Sequence, residues 1–321
     1  MKVGIFLLMK LGLMHKVVST VQENWTSQLA EQIAAPWGFD NGSVKYFRGS
    51  ANFIFVGKRE GQTYILRFNH EDEREIAAIE AELKIVNYLA EQGLRVAKPV
   101  LSAEQRVVET IQTELGTFYA VVFEALPGGH WEFEALTLEQ FESWGRELGR
   151  LHQALKQMPE SYRQGRPSWS EQLAPLQQTH PEAAELLQWM ETLDHSPQYA
   201  GVIHYDFELD NICWDGDSAG ILDFDDCAVY RYEADIAFAL RDLFEHGVDA
   251  QDSRLHAFLT GYTSLTELAP DAIAHLPKYL RAHELILQAR LCRAVDIADD
   301  PMYPDWLRGL RVKLWKRVGG H

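Results

Sequence analysis

The sequence predicts an α+β chain of two lobes, a small antiparallel sheet with one main helix followed by a larger, mostly helical part. Between Val44 and Phe123, short runs of β-forming residues alternate with glycine-containing turns. One stripe of Ile76, Ile79, Leu83, Val86 and Ala90 at helical spacing interrupts them. Beyond Pro127-Gly128-Gly129, apolar residues recur mostly at helical spacing. A chain of 321 residues, 46% hydrophobic, is long enough to bury two cores.

The elements follow in order. Met1-Lys2 precedes an apolar run from Val3 to Met9 that Lys10 interrupts; no small-x-small cleavage site follows, and the run is too short to span a bilayer. It reads as an over-extended or helical N-terminus, with Met14 as an alternative start. A helical opening covers Trp25 to Ala35, and residues 1–42 form an N-terminal extension. Val44 to Phe47, Asn52 to Gly57 and Thr63 to Phe68 read as strands, separated by Gly49 and the Glu60-Gly61 turn. A helix from Glu73 to Glu91 stops at Gly93. Val107 to Ile111 and Phe118 to Phe123 complete a five-stranded sheet, and the small lobe spans 43–124. Pro127-Gly128-Gly129 can continue neither regular structure, so the second lobe, 125–321, begins with a linker. Phe141, Leu148, Leu151 and Leu155 mark a helix, and helices are expected at Ser253 to Tyr262, Lys278 to Asp296 and Tyr303 to Lys316.

Charge narrows the partners. A net charge of −17 disfavours binding along a nucleic acid backbone or on anionic lipid, and it attracts a cationic substrate such as an amino sugar or a choline-like amine. The three cysteines, Cys213, Cys227 and Cys292, lack metal-type spacing and fit buried thiols in a reducing cytoplasm.

The chemistry concentrates between His204 and Asp223. Asp206 and Asn211 lie on a short loop; Ile212 to Leu222 then reads as a tight hairpin around Asp215-Gly216-Asp217-Ser218. Asn211 and Asp223 are equidistant from Asp217. Pairing in that register makes them cross-strand neighbours, roughly 4.5 to 5.5 Å apart at Cβ, which suits two oxygen donors sharing one hard cation such as magnesium. Asp206 then stands beside the metal, free to accept a proton. Such a set serves phosphoryl transfer, in which a carboxylate deprotonates a hydroxyl and Asn plus Asp hold the ions. Asp210, Asp215 and Asp217 are read as turn residues. A competing arrangement, with His204, Asp206 and Asp223 as metallohydrolase ligands, needs further histidines; His152, His246 and His283 sit singly in helix-like segments.

In these residues the chain resembles the aminoglycoside phosphotransferase and choline kinase group, relatives of the protein kinases. That group carries His-x-Asp, four residues, Asn, and a later hydrophobic-Asp-aromatic motif; here these are His204-Tyr205-Asp206, Asn211 and Leu222-Asp223-Phe224. The resemblance covers about Val44 to Leu243 and implies a bilobal protein-kinase-like fold. It implies Asp206 as the catalytic base and Asn211 and Asp223 as magnesium ligands. Ser50, in the Arg48-Gly49-Ser50-Ala51-Asn52 loop, would face ATP phosphates through the backbone. Arg67 would take the place of the phosphate-binding Lys or Arg, paired with Glu82 or, a heptad earlier, Glu75. Adenine would meet the backbone at Phe123 and Ala125. His204 and the Asp235 of Glu233-Ala234-Asp235-Ile236-Ala237 would brace the loop, with His152 structural. The last helices would wall an acceptor pocket, with Tyr262, Trp306 and Trp315 lining it or buried in core. The function implied is ATP-dependent, magnesium-requiring phosphoryl transfer to a small-molecule hydroxyl in the cytoplasm. The alternatives are a stress-response-type protein Ser/Thr kinase and a nucleotide-binding scaffold without turnover.

Overall fold

The computed structural model describes residues 9–317; the apolar opening read from Val3 onward lies outside them as far as Leu8. The first elements are α1 (Leu11–Val18), α2 (Gln28–Ala34), β1 (Lys45–Gly49), β2 (Phe53–Arg59), β3 (Gln62–His70) and α3 (Ile76–Glu91). Then come β4 (Pro99–Val100), β5 (Glu109–Thr113), β6 (Gly116–Glu124), α4 (Leu138–Lys156), α5 (Trp169–Leu173) and α6 (Pro181–Glu191). The chain continues through β7 (Ala200–Ile203), β8 (Ile212–Asp215), β9 (Ser218–Ile221), β10 (Ala228–Arg231) and α7 (Tyr232–Ala239). It closes with α8 (Ser253–Thr263), α9 (Ala272–Ala294) and α10 (Asp305–Arg317). No described helix is long and apolar enough to cross a membrane.

Two compact units result, and the first gathers three stretches: residues up to Glu80, Lys98–Ala125, and from Leu287 on. Its sheet runs β1-β2-β3-β6-β4, with β5 also on β6, all antiparallel. Six strands replace the expected five because Pro99–Val100 is too short to show a period. Phe53, Phe55, Leu66, Phe68, Phe118 and Val122 alternate along their strands into one core, which Leu11, Met14 and Val17 of α1 cover. The helix predicted from Trp25 begins only at Gln28, because the Ser27 side chain caps it by accepting the Ala30 N–H. Trp25 itself sits outside the helix at φ 67°.

The C-terminal helix corrects an expectation. Leu307 and Leu314 of α10 pack in the core of this first unit, against α1, while Trp306 and Trp315 are 43% and 42% exposed. These tryptophans are surface residues, because the leucines take the buried stripe.

The second unit comprises Ala81–Ala97 and Leu126–Ile286. Its centre is the crossing of α4 and α8. A Cβ on Gly145 would collide with the Phe258 carbonyl, one on Gly261 with the Glu142 carbonyl, and one on Gly149 would lie 2.8 Å from the Tyr262 carbonyl. Glycine therefore lets the two backbones touch. Around the crossing pack Phe141, Trp144, Leu148, Leu151 and Phe258. Tyr262 is fully buried there, so it belongs to the core.

Candidate active site

Strand β7 pairs with β10, and the loop that leaves β7 begins at His204. Tyr205 adopts φ 73°, a left-handed turn uncommon for a side chain of this size. Such a conformation needs partners, and Asp235 in the first turn of α7 supplies them. Its Oδ1 accepts the Tyr205 N–H at 2.8 Å; its Oδ2 accepts the His204 N–H at 2.8 Å. Oδ2 also lies 3.0 Å from His152 Nε2, and His152 Nδ1 lies 2.9 Å from the Tyr262 hydroxyl. Burial lowers the pKa of both His152 and His204, and Asp235 opposes the shift in each. Neutral His204 is consistent with its contacts: Nε2 donates to the Leu222 carbonyl at 2.9 Å, and Nδ1 accepts the Asp206 N–H at 3.3 Å. Both histidines have their ring nitrogens within hydrogen-bond reach of protein partners, and Asp235 braces the loop.

Asp206 follows this turn and is buried. Asn211 Nδ2 donates to its Oδ2 at 2.8 Å and to its main-chain carbonyl at 3.0 Å. A carbonyl only accepts, so these bonds fix the amide orientation and leave Asn211 Oδ1 as the atom available to a cation. On the other side, Arg241 Nη1 and Nη2 approach Asp206 Oδ1 at 3.4 and 3.5 Å, and Arg241 also pairs with Glu208. Burial pushes the Asp206 carboxyl up to about 7 against the pull of Arg241; Asp226 and Asp225 push the same way as burial, and Asn211 opposes. Burial draws the Arg241 guanidinium down to about 10. Arg241 was not legible beforehand, being one arginine at a helix end, thirty-odd residues away. Asp225 and Asp226 are likewise buried beside the motif, and Arg166 donates to the Asp225 and Cys227 carbonyls at 2.6 and 2.7 Å.

The hairpin forms one step away from the expected register. Ile212 faces Ile221 and Asp215 faces Ser218, around a two-residue turn at Gly216-Asp217 with Gly216 at φ 60°. Asn211 therefore lies opposite Leu222, whose N–H donates to its carbonyl at 2.9 Å. Asp223 comes one residue later, half-buried and left-handed at φ 61°, ψ 61°. The cross-strand pairing expected for Asn211 and Asp223 is not formed, because Asp217 belongs to a tight turn and is not the centre of a longer loop. Phe224 is buried against His204, with ring centroids 4.5 Å apart.

The oxygen donors of Asn211 and Asp223 suit a hard cation that completes its shell with ligand oxygens. Among the described residues, no group of three or more His, Cys, Asp or Glu is arranged to hold a metal. With both ring nitrogens of His204 committed, the metallohydrolase arrangement is not formed.

In the first unit, Arg67 lies in the middle of β3, between Ile54 of β2 and Val121 of β6. It is 4% exposed, with its guanidinium 5.0 Å from the centre of the Phe123 ring. It is thus no solvated edge residue. The Ser50 N–H donates to the Asn52 carbonyl at 3.2 Å within its own bend. Glu124 donates its N–H to Lys98 on the β4 side, so the main chain of Phe123 and Ala125 faces β3, where the Ala125 N–H reaches the Thr63 carbonyl at 3.4 Å. The Ala125 N–H, one of the backbone groups expected to meet adenine, is therefore engaged within the first unit. Of the two glutamates, Glu82 is buried on α3 in the second unit, whereas Glu75 is exposed and precedes the helix.

Known proteins share this architecture. Amicoumacin kinase of Bacillus subtilis (strain 168) is 25% identical over 292 residues, spanning 84% of this chain and 86% of the relative. The structure of amicoumacin kinase hAmiN in complex with AMP-PNP, Ca2+ and Ami superposes with a TM-score of 0.74 at 25% identity, covering 95% of each chain. A microcompartment-associated aminopropanol kinase shares the fold with a TM-score of 0.67 at 21% identity, covering 90% of this chain and 94% of its own. Residues 43–270, which include the sheet and the whole His204–Asp223 segment, match the phosphotransferase enzyme family. The chain belongs to that family and is an enzyme, a kinase-type phosphotransferase with an alcohol group as acceptor.

Proposed function

We propose that this enzyme transfers the γ-phosphoryl group of ATP to a hydroxyl of a small molecule, with Asp206 as base and magnesium held by Asn211 and Asp223. The observation that carries the reading is the geometry around Asp206: a buried carboxylate on a loop held by Asp235, with Asn211 Nδ2 donating to its Oδ2 at 2.8 Å, where burial raises its pKa to about 7. A base tuned to working pH has the best balance of ionisation and basicity.

As the acceptor oxygen bonds to the γ-phosphorus, the bond to the bridging oxygen breaks and ADP leaves; Asp206 takes the hydroxyl proton. Arg241 offsets the charge of Asp206 while it is ionised. Magnesium, when bound, neutralises charge on the phosphate oxygens. Asn211 would hold it through Oδ1, since its amide nitrogen is held by Asp206. Arg67 and the Ser50 loop belong to phosphate binding in this reading, and Glu82 serves as the helix glutamate. Relatives named for amicoumacin and aminopropanol support a small-molecule acceptor over a protein one, and the charge of −17 favours an amine-bearing alcohol. A cytoplasmic setting, where ATP is available, goes with this reading.

Magnesium-dependent ATP consumption, measured across amino alcohols, amino sugars, amicoumacin and generic protein substrates, tests it. Turnover on a hydroxyl-bearing amine is expected, and turnover on protein alone would overturn the acceptor assignment. Asp206→Ala should lower kcat by about 10²- to 10⁴-fold while ATP still binds. Full activity in that variant would remove the mechanism.

A further inference from the structure

Asn211 ends a single 3₁₀ turn, Leu209–Asn211, too short to be stable by itself. The segment that steadies it is 127–131, which the sequence presents as a plain linker and which lies with it in the second unit. Gly129 exchanges two main-chain hydrogen bonds with Trp214 of β8, at 2.9 and 2.7 Å. The Trp131 ring lies flat on that of Trp214, centroids 3.6 Å apart and planes 3° apart. Gly128, at φ 118°, passes so close to the Trp214 carbonyl that any Cβ would collide. Arg95 ties the same parts together, donating to the Ser218 carbonyl at 3.1 Å and to the Pro127 carbonyl. The segment is a third rung on the β8–β9 hairpin.

His130 stands in the middle of that rung. Its Nδ1 lies 2.9 Å from the Ile212 carbonyl and 3.2 Å from the Leu209 carbonyl. Both oxygens can only accept, so Nδ1 carries a proton and donates to both. The two carbonyls bracket Asn211, one residue after it and two before. They lie at the C-terminal end of the turn, where the Leu209 carbonyl also accepts the Ile212 N–H. Asn211 is also anchored to Asp206 and Leu222, and its own N–H donates to the Glu208 carbonyl at 3.0 Å.

We infer that His130 is a positioning residue for the metal site: its Nδ1–H holds the Leu209–Ile212 turn so that Asn211 presents Oδ1 to the cation. The inference rests on the reading of Asn211 as a ligand. His130 touches no reacting atom and acts only through that turn. It is exposed, so replacing it leaves the core intact.

The test compares His130→Asn, whose amide nitrogen can stand where Nδ1 stands, with His130→Gln, whose amide nitrogen reaches the place of Nε2. Mn2+ affinity is read by electron paramagnetic resonance in the presence of a non-hydrolysable ATP analogue, beside the magnesium concentration for half-maximal turnover. His130→Gln should weaken Mn2+ binding about 10-fold, as loss of a ligand's outer partner does, and His130→Asn should stay within about 3-fold of wild type. Equal affinity in all three proteins, or equal losses in the two variants, would overturn the assignment. Asn211→Ala separates the two readings: if it leaves Mn2+ affinity unchanged, the ligand reading fails, whereas a large loss there with none in His130→Gln sinks this inference alone. Nitrogen chemical shifts of the His130 ring in the wild-type protein give a check that no folding defect can blur. A protonated Nδ1 is expected, and an unprotonated Nδ1 refutes the proposal.

Discussion

Asp206 and Arg67 are both charged and almost wholly buried, yet opposite means hold them in place. Arg67 sits on a strand in the interior of a sheet. Pairing with Ile54 and Val121 fixes its backbone, and the Phe123 ring receives its guanidinium. Its position is inherited from the apolar alternation of its neighbours. Asp206 sits on a loop whose backbone passes through a left-handed residue, and its position depends on polar partners: Asp235 beneath the loop, and Asn211 and Arg241 on the carboxylate. A strand tolerates the loss of one contact because its register is set many times over. The loop has no such redundancy, so one missing acceptor should undo it.

The largest effect expected from that difference comes from Asp235→Ala. It strips the acceptor from the His204 and Tyr205 N–H groups and from His152, all buried. A stability loss on the order of 3 to 5 kcal/mol in urea unfolding is expected, with turnover falling alongside. If Asp235→Ala keeps both stability and activity, the loop is not held as described. Next is Arg67→Met, which keeps the shape of the buried side chain and removes the charge. Nucleotide KM should rise about 10-fold, equivalent to about 1.4 kcal/mol, with a smaller loss of stability than in Asp235→Ala. A stability loss matching that of Asp235→Ala would erase the contrast.

A last effect concerns pH. Burial raises the folded-state pKa of Asp206 from 3.8 to about 7, so the folded protein binds this proton more tightly than the unfolded chain. Its contribution to stability is fully present below about pH 4 and is lost as pH rises through about 7. Asp206→Asn does not titrate. Without divalent cations it should be more stable than wild type above pH 7, with the advantage vanishing near pH 4. Chemical denaturation at pH 4, 6 and 8 would show this, and a pH-independent difference would refute the burial argument.

How much of this was legible beforehand follows the same division. The strands carrying Phe53, Leu66 and Phe118 and the stripe of α3 announce themselves by period, and they formed within a few residues of expectation. The motif residues Asp206, Asn211 and Asp223 could be picked out by order and spacing. Their geometry could not, because register depends on a turn: placing Asp217 at a loop centre instead of in a two-residue turn shifted Asn211 by one partner. The Trp306 and Trp315 helix was assigned to the wrong surroundings because periodicity shows which face is apolar, not which core it meets.

The amino-acid order alone therefore determined the fold class and the type of chemistry, and it singled out the residues proposed to perform it. All of these rest on spacing along the chain and on the intrinsic character of side chains. Tertiary structure alone decided that Arg241 faces the Asp206 carboxylate, that burial raises the pKa of Asp206, and that the segment around His130 leans on the turn bearing Asn211. Each of these depends on groups distant in sequence meeting in a low-dielectric interior, where the environment, not the residue type, sets charge and orientation.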